Sequence, residues 1–133
     1  MTAENREFAR RWMNEIWNER RDQTVEELMA PDAIGHVESG EVIGREPFLA
    51  YRAALLNAFP DLRITVEDTL ADDQSVVVRW RVNGTHQGEG LGVAPTGRAV
   101  SISGMTWFRV RNGRAVEGWD SWNMGGLLES LRT

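Results

Sequence analysis

The chain has 133 residues, 41% of them hydrophobic and 26% charged, with a net charge of −5 and no cysteine. That is the size and balance of one globular domain, residues 1–133, and it excludes disulfides, zinc–thiolate sites and a cysteine nucleophile. The 15 basic residues are all arginine and are scattered among 20 acids, which argues against a nucleic-acid partner, because such binders present a basic patch.

In chain order, Ala3 to Arg20 reads as a helix, with Phe8, Trp12, Ile16 and Trp17 recurring at helical spacing between charges. Asp22-Gln-Thr is a capping signal for a short second helix, Val25 to Met29, which Pro31-Asp32 should break. Ala33 to Ile43 looks irregular or partly extended. Gly44 precedes a third helix, Arg45 to Ala58, with Phe48, Leu49, Leu55 and Phe59 as its apolar stripe and Phe59-Pro60-Asp61 as its stop. The period then changes to two. Leu62, Ile64 and Val66 begin one strand; Val76, Val78, Trp80 and Val82 form the next, whose alternation runs on to Gly84 and His86. A glycine-rich loop from Gly84 to Gly97 leads into a long strand, Val100 to Val110. Asn112-Gly113 signals a hairpin, a last strand runs from Arg114 to Asn123, and a short helix, Met124 to Leu131, follows. No run of about 18 apolar residues occurs, and Met1 to Arg11 has no apolar stretch like that of a signal peptide. No membrane partner and a cytoplasmic location are therefore expected.

Helices first and antiparallel strands afterwards mean α+β. The expected architecture is a curved antiparallel sheet whose concave side is covered by the N-terminal helices, leaving a cone with an apolar pocket. Which residues face that pocket depends on the final hairpin. A two-residue turn at Asn112-Gly113 would set Asp120 opposite Met105 and produce a face mixing valine with arginine. A three-residue loop, Arg111 to Gly113, sets Phe108 opposite Val116, Thr106 opposite Gly118 and Asp120 opposite Gly104. The second register collects Val100, Ile102, Phe108, Val110 and Val116 on one face, with Asp120 and Trp122 at its end. It is preferred because register follows the face that must be buried.

His86 shares the apolar parity of Val78, Trp80 and Val82, which places it on the same inner face as Asp120. Two titratable groups on an apolar concave wall make a candidate site. Each has a blander alternative: a structural aspartate paired with a backbone N–H or an arginine, and a histidine that merely anchors the glycine loop. His36, in the irregular segment, either lines the pocket mouth or is simply exposed. The opposite face carries Met105, Trp107 and Trp119. Exposed tryptophans are costly there, so this outer face is expected to meet another copy, giving a homo-oligomer, a dimer or tetramer.

The runs Gly84-Thr85-His86-Gln87-Gly88 and Gly92-Val93-Ala94-Pro95-Thr96-Gly97-Arg98 resemble the signature of the SnoaL-like polyketide cyclases. So do Ser103-Gly104-Met105-Thr106-Trp107-Phe108-Arg109 with Asn112-Gly113, the ending Val116-Glu117-Gly118-Trp119-Asp120 with Gly126-Leu127-Leu128, and Phe59-Pro60-Asp61-Leu62. The likeness covers nearly the whole chain in order. It implies the nuclear-transport-factor-2-like fold, an α+β cone with a deep pocket. It also implies an intramolecular aldol condensation closing a ring of a polyketide, with no cofactor and no metal. Asp120 matches the acid–base aspartate of the last strand. Trp17 and Tyr51 match places that shape the substrate end of the pocket. Where the cyclases carry a histidine before the final hairpin, this chain has Thr106 and Phe108.

An aspartate serves as base if an apolar site raises its pKa toward neutrality. His86 is then the expected hydrogen-bond donor to the developing oxyanion, and Trp80, Thr106, Phe108 and Trp122 join Trp17, Tyr51 and His36 as substrate contacts. The substrate class is a hydrophobic, polyketide-like small molecule. Two rivals remain open on the residues alone: a hydrolase of the epoxide-opening kind, and a pocket that binds a small apolar ligand without turnover. The glycine run does not close with Lys-Ser/Thr at a helix start, so no phosphate loop is expected, and Gly88-Glu-Gly-Leu-Gly lies between strands of a hairpin and faces no helix dipole, so no dinucleotide site is expected either.

Overall fold

The computed structural model describes residues 2–132. The first helix, α1 (Thr2–Arg11), does not run uniformly to Arg20 as the periodicity suggests. It widens into a π-helical stretch over Trp12–Asn18. That register turns Trp12, Met13 and Ile16 together into the core, the kind of local overwidening often found at functional sites. The helix stops at Arg20, whose φ of 60° is left-handed. Asn18 then fastens the helix end to the first long strand: its amide donates to the Ile64 carbonyl at 2.9 Å and accepts from the Ile64 N–H at 2.8 Å.

Helix α2 spans Asp22–Leu28 and α3 spans Arg45–Ala58. Asp22 is the first residue of α2 rather than its cap, and its carboxylate pairs with Arg52 of α3 at 2.7 Å. The buried Arg52 also donates to the Ile16 carbonyl at 3.1 Å. One side chain thus locks three helical segments together.

Six strands form one sheet in the order β2-β1-β6-β5-β4-β3. They are β1 (Met29–His36), β2 (Val42–Ile43), β3 (Arg63–Ala71), β4 (Ser75–Thr85), β5 (Ala99–Arg111) and β6 (Arg114–Ser121), with helix α4 (Met124–Arg132) after them. The curved α+β expectation holds, with one correction: the sheet is mixed. Pro31-Asp32 does not interrupt the chain, because β1 runs through it and pairs in parallel with β6. The register shifts between Met29 and Ile34, so Pro31, which has no N–H to give, sits where the ladder is already broken.

The hairpin register also differs from the expected one. Asn112 and Gly113 form a two-residue turn, both with positive φ (53° and 76°), and Arg111 pairs with Arg114. The ladder then slips between Arg109 and Val110: Val110 faces Ala115, but Arg109 faces Glu117. Val116 is the extra residue of a bulge. Beyond it Phe108 faces Gly118 and Thr106 faces Asp120. The turn is the rejected one, yet the bulge restores the parity, and Asp120 still reaches the concave side, opposite Thr106 rather than Gly104.

The main core lies between α1, its π-helical end, α2 and the inner face of β3 to β6, around Phe8, Trp12, Ile16, Val76, Val78 and Phe108. A second cluster, Ala58, Phe59, Leu62, Leu127 and Leu131, closes the other end with α4.

Candidate active site

Between the helices and the inner sheet face lies a mostly apolar cavity. Trp17 reaches it from the π-helical segment, Tyr51 from α3, Trp80 from β4, Thr106 and Phe108 from β5, and Asp120 and Trp122 from the end of the hairpin. The structure thus brings these expected residues together.

Asp120 is the carboxyl set on the inner wall beside Thr106, and Glu117 also borders the cavity. Thr106 Oγ1 donates to Asp120 Oδ1 at 2.6 Å, and the Trp80 indole N–H donates in turn to Thr106 Oγ1 at 3.0 Å. Among the described residues no arginine pairs with Asp120, and no backbone N–H bonds to it. Burial pushes its carboxyl from the ordinary 3.8 up to about 6; the Thr106 hydrogen bond opposes the rise, and Glu38 adds to it. Desolvation wins because a carboxylate in an apolar wall loses more hydration than one hydroxyl returns.

Tyr51 shares this environment. Burial raises its phenol far above the usual range, the Asp120 charge adds to that, and the Trp122 indole pulls the other way. A phenol in this state stays protonated at neutral pH and acts as a donor, not a base. Glu38 lies in the loop between β1 and β2 and lines a second pocket, which shares Val37, Ile43 and Tyr51 with the cavity. Burial raises its own carboxyl, with Glu41 contributing. Nothing in the irregular segment singles Glu38 out; its influence on Asp120 and Tyr51 comes from where the loop folds.

His86 requires a correction. It is completely buried, but it does not line the cavity. Its Nδ1 accepts from the Thr96 N–H at 3.2 Å and lies 3.0 Å from the Thr96 hydroxyl, and the ring packs on Phe59 with centroids 5.6 Å apart. Its backbone continues the ladder one step past β4, with N–H to the Arg98 carbonyl at 2.9 Å and carbonyl to the Gly97 N–H at 2.7 Å. Parity along the strand is right, but the residue lies past the end of the cavity wall, and the ring holds the glycine-rich loop in place. That loop packs on the end of α3: the Gln87 and Gly88 N–H groups both donate to the Ala58 carbonyl at 3.1 Å. A Cβ on Gly88 would lie 1.9 Å from the Asn57 carbonyl oxygen. Gly88 and Gly90 are there for close packing, whereas Gly92 and Gly97 have open space around them and take positive φ.

His36 borders the cavity, but its ring is engaged on the convex side. It stacks on Trp119 at 5.1 Å with the planes 3° apart, and its Nε2 lies 2.7 Å from Glu117. The convex face continues with Trp107, 42% exposed, and Met105, 49% exposed; the Arg109 guanidinium lies 5.9 Å over Trp107 and 5.8 Å over Trp119. Among the described residues, no three His, Asp or Glu side chains gather as metal ligands would, and no helix is long and apolar enough to cross a membrane.

The pattern of the SnoaL-like polyketide cyclase family matches residues 7–131. AclR from Streptomyces galilaeus, a proposed hydroxylase, is 32% identical, with a TM-score of 0.88 over 99% of this chain and 83% of its own. Wild-type IdmH from Streptomyces antibioticus, a proposed polyketide cyclase, is 30% identical, with a TM-score of 0.84 over 97% of this chain and 99% of its own. A proposed SnoaL-like polyketide cyclase from Jannaschia sp. CCS1 is 27% identical, with a TM-score of 0.88 over 98% and 92% of the two chains. No curated protein matches the chain in sequence.

Proposed function

The chain belongs to the SnoaL-like polyketide cyclase family, and from that premise we propose that it is a cofactor-independent acid–base enzyme acting on an apolar, polyketide-like small molecule, with Asp120 as the proton carrier. The observation that carries this reading is the Asp120 carboxyl itself: desolvated in an apolar cavity, bonded to a single hydroxyl, and raised to about 6. A base is most effective when its pKa lies near the working pH. At pH 7 about nine-tenths of such a carboxyl is ionised and ready to accept a proton, yet its conjugate acid is strong enough to return one.

In the aldol form of the reaction, the carboxylate removes a proton from a carbon flanked by carbonyls. The resulting carbanion attacks a second carbonyl of the same molecule, and the new alkoxide takes the proton back. The cavity contributes by holding the two carbons at attack distance, an effect worth roughly 7–11 kcal/mol where alignment is good. Trp17, Trp80, Phe108 and Trp122 supply flat apolar walls for a fused-ring product. With His86 committed to Thr96, the protonated Tyr51 phenol takes over as the donor facing the developing alkoxide.

The test is turnover of polyketide-like β-ketone esters, followed by mass spectrometry of the cyclised product, with wild type beside Asp120→Asn. Turnover lost in the variant with ligand binding retained supports the reading. Binding by wild type without turnover of any such ketone replaces it with a ligand-binding role.

A second copy is the proposed partner of the convex face. Trp107 and Met105 stand exposed at its centre, and Arg109 and Glu117 are cross-strand neighbours. A two-fold axis through the patch would bury the aromatic groups and set arginine against glutamate.

A further inference from the structure

The slipped hairpin register has a chemical consequence. It sets Thr106 directly opposite Asp120, while β4 sets Trp80 opposite Gly104, one inward-facing position along β5 from Thr106. Three short-range facts then combine. The Trp80 indole N–H meets Thr106 Oγ1 at 3.0 Å, and Thr106 Oγ1 meets Asp120 Oδ1 at 2.6 Å. A Cβ on Gly104 would lie 2.6 Å from two carbons of the Trp80 ring and 2.8 Å from Trp122 Cβ, so the indole reaches Thr106 only because position 104 has no side chain.

We infer that Thr106 is a positioning residue for Asp120, that Trp80 fixes the direction of its hydroxyl, and that together they reserve Asp120 Oδ2 as the one oxygen that exchanges protons with the substrate. The direction follows from the donor inventory. An indole N–H only donates, so Thr106 Oγ1 accepts from Trp80 and has its own single proton left for Asp120. Oδ1 is then permanently an acceptor, held by a short charge-assisted bond. When Asp120 takes a proton, the free oxygen, Oδ2, receives it, and the same atom returns it. Removal and return of the proton thereby occur from one point on the cavity wall, which suits a ring closure in which both happen in one bound pose. The other titratable groups around Asp120 are Tyr51 from α3 and Glu38 from the β1–β2 loop, and Glu117 of β6 and His36 of β1 border the same cavity; the side-chain bonds of Thr106 are to Trp80 and Asp120, so its change leaves those groups in place.

This inference rests on Asp120 being the proton carrier, but its test does not need turnover. The Asp120 carboxyl is titrated by carbon-detected NMR in wild type, Thr106→Val, Thr106→Ser and Trp80→Phe. Loss of a hydrogen bond to a charged group is expected to move the titration upward by about one unit or more in Thr106→Val. Thr106→Ser restores the wild-type value, because it keeps the hydroxyl. Trp80→Phe keeps an aromatic ring, though a smaller one, and loses the indole N–H, so it shifts in the same direction by less, and it carries the test should Thr106→Val not fold. Where a substrate turns over, the acidic limb of the kcat profile follows the same order. An unchanged titration in Thr106→Val, or a serine variant behaving like valine, overturns the positioning role. Failure of wild type to turn over any ketone would instead sink the acid–base reading and leave the Thr106 coupling measured.

Discussion

The two faces of the β5–β6 hairpin carry similar residues and do different things. The concave face holds Phe108, Thr106 and Asp120; the convex face holds Trp107, Trp119 and Glu117. Each face has one acid of β6 beside aromatic rings. Glu117 is half-exposed and paired with His36 at 2.7 Å, whereas Asp120 lies in a walled cavity with one hydroxyl for a partner. The difference lies in solvation, not residue type. A carboxylate with a cationic or imidazole partner serves structure, and one set among apolar walls with a single hydroxyl for a partner is the proposed proton carrier.

The comparison breaks most decisively at Asp120. Asp120→Asn keeps the shape and still accepts from Thr106, so the fold survives while turnover falls by about 10²–10⁴-fold, read from initial rates on any ketone the wild type converts. The same variant sharpens the comparison thermodynamically. The folded-state pKa is raised from 3.8 to about 6. Below 3.8 the carboxyl is neutral in both states and costs nothing. Between 3.8 and 6 the unfolded chain ionises first, so stability falls as pH rises, levelling above 6 at a loss of about 3 kcal/mol. Denaturant unfolding of wild type and Asp120→Asn should therefore agree near pH 3.5 and diverge by pH 7, with the asparagine variant the more stable.

On the convex face the expected effects are smaller and of another kind. Trp107→Glu places a charge at the centre of the exposed patch and should weaken self-association by about 30-fold or more, as loss of an interface hot spot does. Light scattering across a dilution series reads this directly, and monomeric wild type would remove the premise. His36→Ala ends a half-exposed stack and ion pair and should cost at most about 1 kcal/mol in thermal unfolding, leaving the Asp120 titration in place.

How much of this the sequence revealed follows from which signals are local. Alternation along β5 and β6 placed Asp120, Thr106 and Phe108 on the inner face, because parity survives any register shift of two. The partner of Asp120 was not legible. Asn112-Gly113 signalled its two-residue turn openly, but the bulge at Val116 that reconciles that turn with a buried face leaves no mark in the sequence. Strand β1 was missed because its ladder is with β6, some 80 residues on, and Pro31 looked like a stop. His86 had the right parity, but parity does not say where a wall ends. The widening at Trp12 is equally silent: Trp12, Ile16 and Trp17 fit an ordinary helix as well.

The most direct test of the account is the pH titration of the Asp120 carboxyl in the wild-type protein, assigned with Asp120→Asn. A midpoint near 6 is the predicted result and means a desolvated carboxyl poised for proton transfer. A midpoint at or below 3.8 would mean a solvated or ion-paired aspartate, and the acid–base reading of the cavity would be wrong.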